Sequence, residues 1–157
     1  MNRGVRIIFD LTIGLGIAAA TLSFLLIPSH ARPVWWLVVG LVVAGAIGEI
    51  ATIAGDDEEG EHSFSFATTA HLSAAMLLLP GWAAPTAALG TVIGEFVRKA
   101  RPLSIVLNGS LAMFSTLIAS AVYHAIQGNE GLGPRTYAAV AVMLVVFIPL
   151  NLAPPGL

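Results

Sequence analysis

The chain has 157 residues, of which 57% are hydrophobic and 10% are charged, whereas a soluble domain of average composition is about 25% charged. This composition argues against a water-soluble fold and predicts one integral membrane domain over residues 1–157. A formal net charge of −2 indicates no nucleic-acid partner, and the absence of cysteine excludes disulfides and thiolate chemistry.

Two long apolar stretches, separated by a proline-bounded polar turn, predict the first two membrane-spanning helices at residues 5–27 and 33–54. Trp35 and Trp36 open the second stretch, as aromatic residues at the headgroup level do. The first stretch is longer than the roughly 7–15-residue hydrophobic region of a signal peptide, and no A-x-A site follows it. We therefore expect it to be retained as a span rather than cleaved.

The middle of the chain begins with an acidic segment at residues 55–62, which we expect to be an exposed loop. The alternation of serine and phenylalanine that follows it predicts a short extended element at residues 63–66. Two further apolar segments, at 67–79 and 83–97, are short for full spans. They predict a shallow, tightly packed pair of helices, with a re-entrant path as the alternative.

The last two predicted spans lie at residues 103–126 and 137–152, joined by a glycine-rich polar loop. The chain is therefore predicted to be an all-α bundle of about six transmembrane helices. Orientation is set by Lys and Arg in short loops. One side receives Arg3, Arg6, Arg98, Lys99 and Arg101, and the other receives Arg32 and Arg135. This count predicts a multi-pass protein of the cytoplasmic membrane with both termini in the cytoplasm.

Three polar residues fall inside predicted spans and form the candidate ligand-binding or intramembrane polar site: Glu49, His71 and Asn108. An ionisable group costs a few kcal/mol in a bilayer, so each is a functional hypothesis by default. Glu49 and His71 are at similar depth, so we expect them to be neighbours that pair or share a ligand or proton. The alternatives are that Glu49 reaches the interface, that His71 bonds a carbonyl, and that Asn108 only joins helices.

Glu95 precedes Arg98 by three residues and Lys99 by four, so these three side chains share one helical face. With Arg101 they predict ion pairs at the membrane edge. The same segment contains Gly90 and Gly94 in a GxxxG spacing, which predicts close helix packing within the bundle, with a dimer interface as the alternative.

Catalytic and cofactor motifs are absent from the sequence, including Walker-type GK[ST], HExxH and G-x-S-x-G. The acidic segment with His62 has carboxylate and imidazole groups but no EF-hand spacing, so a solvated charge run is preferred over a metal site. We therefore expect no enzymatic activity, no cofactor and no metal.

From residue 45 to 152 the order of features resembles the N-terminal membrane domains that precede bacterial HD-type phosphohydrolases and diguanylate cyclases. The matching features are Gly48-Glu49-Ile50, Ser63-Phe64-Ser65-Phe66-Ala67, Leu78-Leu79-Pro80-Gly81-Trp82-Ala83-Ala84, Leu89-Gly90, Arg98-Lys99-Ala100-Arg101-Pro102, Leu107-Asn108 and Ala119-Ser120-Ala121-Val122-Tyr123. The resemblance implies a bacterial sensory or regulatory membrane module. In that family the last span leads to a cytoplasmic output domain.

Here Pro154 and Pro155 follow the last span instead. This departure predicts either a truncated relative or a module that acts through a separate cytoplasmic signalling partner, and the family's enzymatic activity does not carry over. The alternatives are a small-molecule binding or transport subunit, similar in size and span count to the substrate components of energy-coupling vitamin transporters, and a nonfunctional fragment. The expected partners are the lipid bilayer, that signalling domain or a transporter subunit, and a second copy in an oligomer.

Overall fold

The computed structural model describes residues 3–27, 33–51, 66–128 and 133–151. Within these ranges the chain folds into six α-helices and contains no β-strand. In chain order the helices are α1 (Arg3–Leu25), α2 (Trp35–Ala51), α3 (Phe66–Leu77), α4 (Pro80–Val97), α5 (Pro102–Gln127) and α6 (Pro134–Asn151). The predicted all-α fold is confirmed for this part of the chain.

The extended element predicted at residues 63–66 is wrong at Phe66, which is the first residue of α3. Ser63, Phe64 and Ser65 lie outside the described residues. A four-residue alternation is a weak signal, and at Phe66 it is outweighed by the run of small and apolar residues that continues into α3.

Proline opens three of the six helices. Pro80, Pro102 and Pro134 are the first residues of α4, α5 and α6. The first helical position needs no N–H partner, and proline already has the required φ. Helices α4 and α6 therefore begin at Pro80 and Pro134, three residues before the predicted positions 83 and 137.

Helices α2 and α4 run parallel, because their N-terminal ends are in contact with each other and so are their C-terminal ends. At their N-terminal ends the Trp35 and Trp82 rings form an edge-to-face contact with centroids 5.5 Å apart. At their C-terminal ends Glu49 lies 4.0 Å from the Arg98 guanidinium. One end of this helix pair is therefore aromatic and the other is ionic.

Helix α3 is short and central. Its 12 residues extend about 18 Å, against roughly 30 Å for the hydrocarbon core of a bilayer. It packs against α2, α4 and α5, and two residues, Leu78 and Leu79, connect it to α4. The third and fourth segments are in contact, but α4 packs more extensively against α5 and α2 than against α3.

By length and composition, α5 is long and apolar enough to cross a membrane, with 26 residues and a mean hydropathy of 1.8. It is the one helix in the described ranges that meets both criteria. Shorter apolar helical stretches occur at Asp10–Leu25, Trp35–Ala51 and Pro134–Leu150.

The interior of the described structure is built from small residues. Of its 18 buried hydrophobic residues, 12 are alanine, and buried glycines, serines and threonines lie among them. Many large apolar side chains lie outside instead, as on α4, where Phe96 is 73% exposed, and on α6, where Val145 is 71% exposed. Soluble proteins have the opposite arrangement, with large apolar residues in the core.

Glycines allow α2 and α4 to approach closely. A Cβ atom placed on Gly90 would lie 3.3 Å from the Cα of Gly45, and one placed on Gly94 would lie 2.5 Å from the Cβ of Glu49 and 2.9 Å from the carbonyl oxygen of Ala46. The predicted packing role of Gly90 and Gly94 within the bundle is therefore confirmed. We call the contact formed by Gly45, Gly90 and Gly94 the glycine seam.

Replacing Gly94 with alanine is expected to destabilise the fold by about 1–3 kcal/mol, because the new methyl group forces backbones apart in a closely packed contact. The measurement is thermal unfolding of the purified protein in detergent. Gly40→Ala on α2 is the matched control, since nothing lies within 4 Å of a Cβ at that position. Equal melting temperatures for the two variants would contradict a close α2–α4 contact.

Candidate functional site

Four helices contribute polar side chains to one connected group near the C-terminal end of α4. Glu49 comes from α2 and His71 from α3, and Asn108 comes from the first third of α5. Helix α4 contributes three members at spacings of four and three residues, which places them on one face. We call this group the polar cluster: Glu49, His71, Thr91, Glu95, Arg98 and Asn108.

Thr91 connects Glu49 to His71. Its hydroxyl Oγ1 lies 3.3 Å from Glu49 Oε1 and 3.2 Å from His71 Nε2. A hydroxyl has one proton to donate. When Thr91 donates to the Glu49 carboxylate, His71 must donate its Nε2–H to Thr91, which leaves Nδ1 as an acceptor.

His71 is only 3% exposed, and its Nδ1 atom has no hydrogen-bond partner among the described residues. The predicted proximity of Glu49 and His71 is present, but Thr91 bridges them. Thr91 was not predicted, although its position four residues before Glu95 places it on the same helical face.

Glu95 is held by two donors. Its Oε1 atom accepts a hydrogen bond from Asn108 Nδ2 at 3.0 Å and lies 3.4 Å from Arg98 Nη1. Asn108 also lies 3.3 Å from the Ser104 hydroxyl. Asn108 therefore joins α5 to α4, which is the helix-joining alternative considered for this residue.

The two carboxylates share one cation unequally. Arg98 Nη1 is 3.4 Å from Glu95 but 4.0 Å from Glu49, beyond hydrogen-bonding distance. Glu95 is 4% exposed, whereas 17% of the Glu49 side chain is exposed. With both carboxylates ionised the polar cluster carries one excess negative charge, and Glu49 is the less stabilised member.

The predicted membrane-edge ion pairs are found in part. Arg98 pairs with Glu95, but Glu95 is buried among helices instead of lying at a surface. Neither Lys99 nor Arg101 forms an ion pair within the described ranges. Helix packing explains the difference, since α5 covers the helical face on which Glu95 lies.

Lys99 has a backbone role at the end of α4. Its φ angle is +57°, and its N–H and that of Ala100 bond the carbonyls of Phe96 and Glu95. This is the Schellman pattern, in which glycine usually takes the left-handed position. The turn fixes where α4 stops and therefore where the Arg98 side chain begins.

A second polar contact lies at the C-terminal end of α3. The Leu78 carbonyl oxygen accepts a hydrogen bond from the Ser120 hydroxyl at 3.0 Å and lies 3.0 Å from His124 Nε2. Carbonyls at a helix C-terminus lack intrahelical partners. Ser120 and His124 of α5 therefore satisfy the end of α3 and have a structural role.

No group of three metal-ligating side chains occurs in the described part of the chain. The acidic segment at residues 55–62 lies outside it. An open groove of about 530 Å³ runs between α2 and α3, lined mainly by apolar side chains including Leu41, Ile47 and Phe66. It does not include the ionisable members of the polar cluster.

No protein-family model matches the chain, and neither the curated proteins nor the solved structures contain a match. The resemblance to the membrane domains of bacterial signalling enzymes therefore stays a prediction.

Replacing Arg98 with glutamine is expected to lower stability by about 1–3 kcal/mol, because buried carboxylate charge loses its cation. Adding Glu49→Gln to this variant should restore part of the loss, since one of the two negative charges is then removed. The measurement is thermal unfolding in detergent at neutral pH.

Arg101→Gln is the matched control, because Arg101 is exposed and has no ion pair within the described residues. An Arg98→Gln variant as stable as this control would contradict the shared role of Arg98. So would a double variant no more stable than Arg98→Gln alone.

Proposed function

We propose that the chain is a multi-pass protein of the cytoplasmic membrane, with six helices in one bundle and both termini in the cytoplasm. Support comes from the large apolar side chains that face outward on α1, α2, α4 and α6, since water-soluble monomers rarely expose such extended apolar surface. The small-residue interior supports the same proposal, because membrane helices associate through close packing of small residues.

The two ends of the bundle support an orientation. Trp35 and Trp82 meet at one end, and tryptophan is enriched at membrane interfaces. Arg98, Lys99 and Arg101 lie at the other end, where basic residues favour the cytoplasmic side. The polar cluster is then close to the cytoplasmic face.

Within this bundle we infer a sensory or regulatory role without catalytic activity. The observation that carries it is that α3 contributes both to the polar cluster and to an apolar cluster that includes residues of α6. His71 on α3 belongs to the polar cluster, while Leu72 and Ala75 pack in the same apolar cluster as Met143 and Phe147 of α6. A change in the hydrogen bonds of His71 would therefore act on helix α6.

The resemblance to signalling membrane domains supports the same direction of coupling, because in those proteins the last span leads to the cytoplasmic output domain. On this proposal α6 is the output helix, and the partner it acts on is a cytoplasmic signalling domain. The polar cluster is the input, and α3 is the connection between them.

The test is a distance measurement between spin labels at Arg101→Cys and Val145→Cys in nanodiscs. The chain contains no native cysteine, so the labels are unique. Thr91→Val removes the bridging hydroxyl at nearly constant shape. It is expected to shift the distance distribution by about 1–2 Å, the usual size of helix shifts in switching proteins.

Ser115→Ala is the matched control, because the buried Ser115 hydroxyl bonds only the Ala112 carbonyl of its own helix among the described residues. This variant should leave the distribution unchanged. A Thr91→Val distribution that superimposes on that of the unsubstituted protein would contradict a sensory role for the polar cluster.

A further inference from the structure

The polar cluster holds two carboxylates near one guanidinium, and they are not equivalent. Glu95 accepts a hydrogen bond from Asn108 and lies within hydrogen-bonding distance of Arg98. Glu49 receives one neutral hydroxyl at 3.3 Å and has its cation at 4.0 Å. When two carboxylates share a site, one of them tends to bind a proton.

We propose that Glu49 is a proton-binding site, at which the carboxylate takes up one proton from the adjacent aqueous phase while Glu95 stays ionised beside Arg98. This inference names the stimulus of the proposed sensory module and rests on that function for its biological role. The partial exposure of Glu49 gives protons access to it, whereas Glu95 is enclosed by α4 and α5.

The charged and titratable groups around Glu49 can be assigned by helix. Helix α4 presents Glu95 and Arg98, and α3 presents His71 through Thr91. Helix α5 reaches the site only through the neutral Asn108, which bonds Glu95. Helix α2 carries no other charged residue, so Arg98 is the one cation within the described residues that faces the pair.

Proton uptake keeps the direction of the hydrogen bonds. With Glu49 ionised, Thr91 donates to Glu49 Oε1 and His71 donates its Nε2–H to Thr91. With Glu49 protonated on Oε2, Oε1 still accepts the hydrogen bond from Thr91. His71 keeps its proton on Nε2, because its buried Nδ1 atom has no partner among the described residues that could supply a proton.

The protons balance across this step. One O–H bond forms on Glu49 with a proton from the aqueous phase, and no other bond to hydrogen breaks or forms. The imidazole stays neutral in both states. Charge neutralisation on α2 weakens the hydrogen bond that Thr91 donates, because a neutral acceptor replaces an anion, and Thr91 is the contact that joins Glu49 to His71 on α3.

The site also lies directly on the glycine seam. The position of a Cβ on Gly94 is 2.5 Å from the Cβ of Glu49, so the Glu49 carboxylate emerges where α2 and α4 are closest. A change in charge at Glu49 therefore acts at a close contact between α2 and α4.

The experiment is pH-difference infrared spectroscopy of the full chain in nanodiscs. Acidification is expected to produce a carboxylic acid C=O band that Glu49→Gln abolishes. Asp10→Asn is the control, because Asp10 is an exposed carboxylate on α1, and this variant should keep the band. Thr91→Val should move the band to higher wavenumber, since the protonated carboxyl group loses its hydrogen-bond partner.

A difference spectrum in which Glu49→Gln removes no carboxylic acid band would overturn the proposal. An unchanged band position in Thr91→Val would overturn the hydrogen bond between Thr91 and the protonated carboxyl group. Because the infrared band reports proton binding alone, a band assigned to Glu49 together with unchanged spin-label distances would separate a valid proton site from a failed sensory function.

Discussion

The structure depends on one guanidinium group that serves two carboxylates inside a bundle of small residues. Charge removed from water is costly unless it is paired and hydrogen-bonded. Arg98 supplies the cation, and Asn108 and Thr91 supply neutral donors from two different helices. This requirement fixes the rotation of α2, α4 and α5 about their axes, because each must present its polar residue to the same point.

Close packing makes this arrangement possible. Glycine at positions 45, 90 and 94 lets the α2 and α4 backbones approach, and alanine fills most of the remaining interior. The short distance between the two helices places Glu49 within hydrogen-bonding distance of Thr91. Larger residues in the glycine seam would separate the helices, and the carboxylate of Glu49 would lose both its hydroxyl donor and its nearby cation.

The sequence predicts most helices well because long apolar runs between polar turns constrain where each helix begins and ends. The positions of α1, α2 and α5 follow from such runs. The first residues of α4 and α6 were not predicted, because a proline is compatible both with the end of one helix and with the first position of the next. The alternation of serine and phenylalanine before α3 gave a wrong prediction at Phe66, because four residues are too few to outweigh the helix-forming residues that follow.

The sequence singles out every member of the polar cluster except Thr91. Glu49 and His71 stand out because ionisable residues in apolar segments are rare. Thr91 does not stand out, since threonine occurs commonly in such helices, and its bridging role follows from the approach of α2 and α3 to the same face of α4. Glu95 was expected at the membrane edge because the spacing of residues in the sequence shows which side chains share a face of α4. It does not show that α5 covers that face.

We propose that the large apolar side chains on the outside of the bundle face lipid while polar groups are gathered inside. One face of α2 tests it most directly, because Trp36, Val39, Val43, Ile47 and Ile50 are all exposed. The measurement is the accessibility of nitroxide labels at these five positions, in a bilayer, to oxygen and to a water-soluble nickel complex. We expect oxygen accessibility to peak and nickel accessibility to be lowest near Val43, whereas high nickel accessibility at all five positions would contradict contact with lipid.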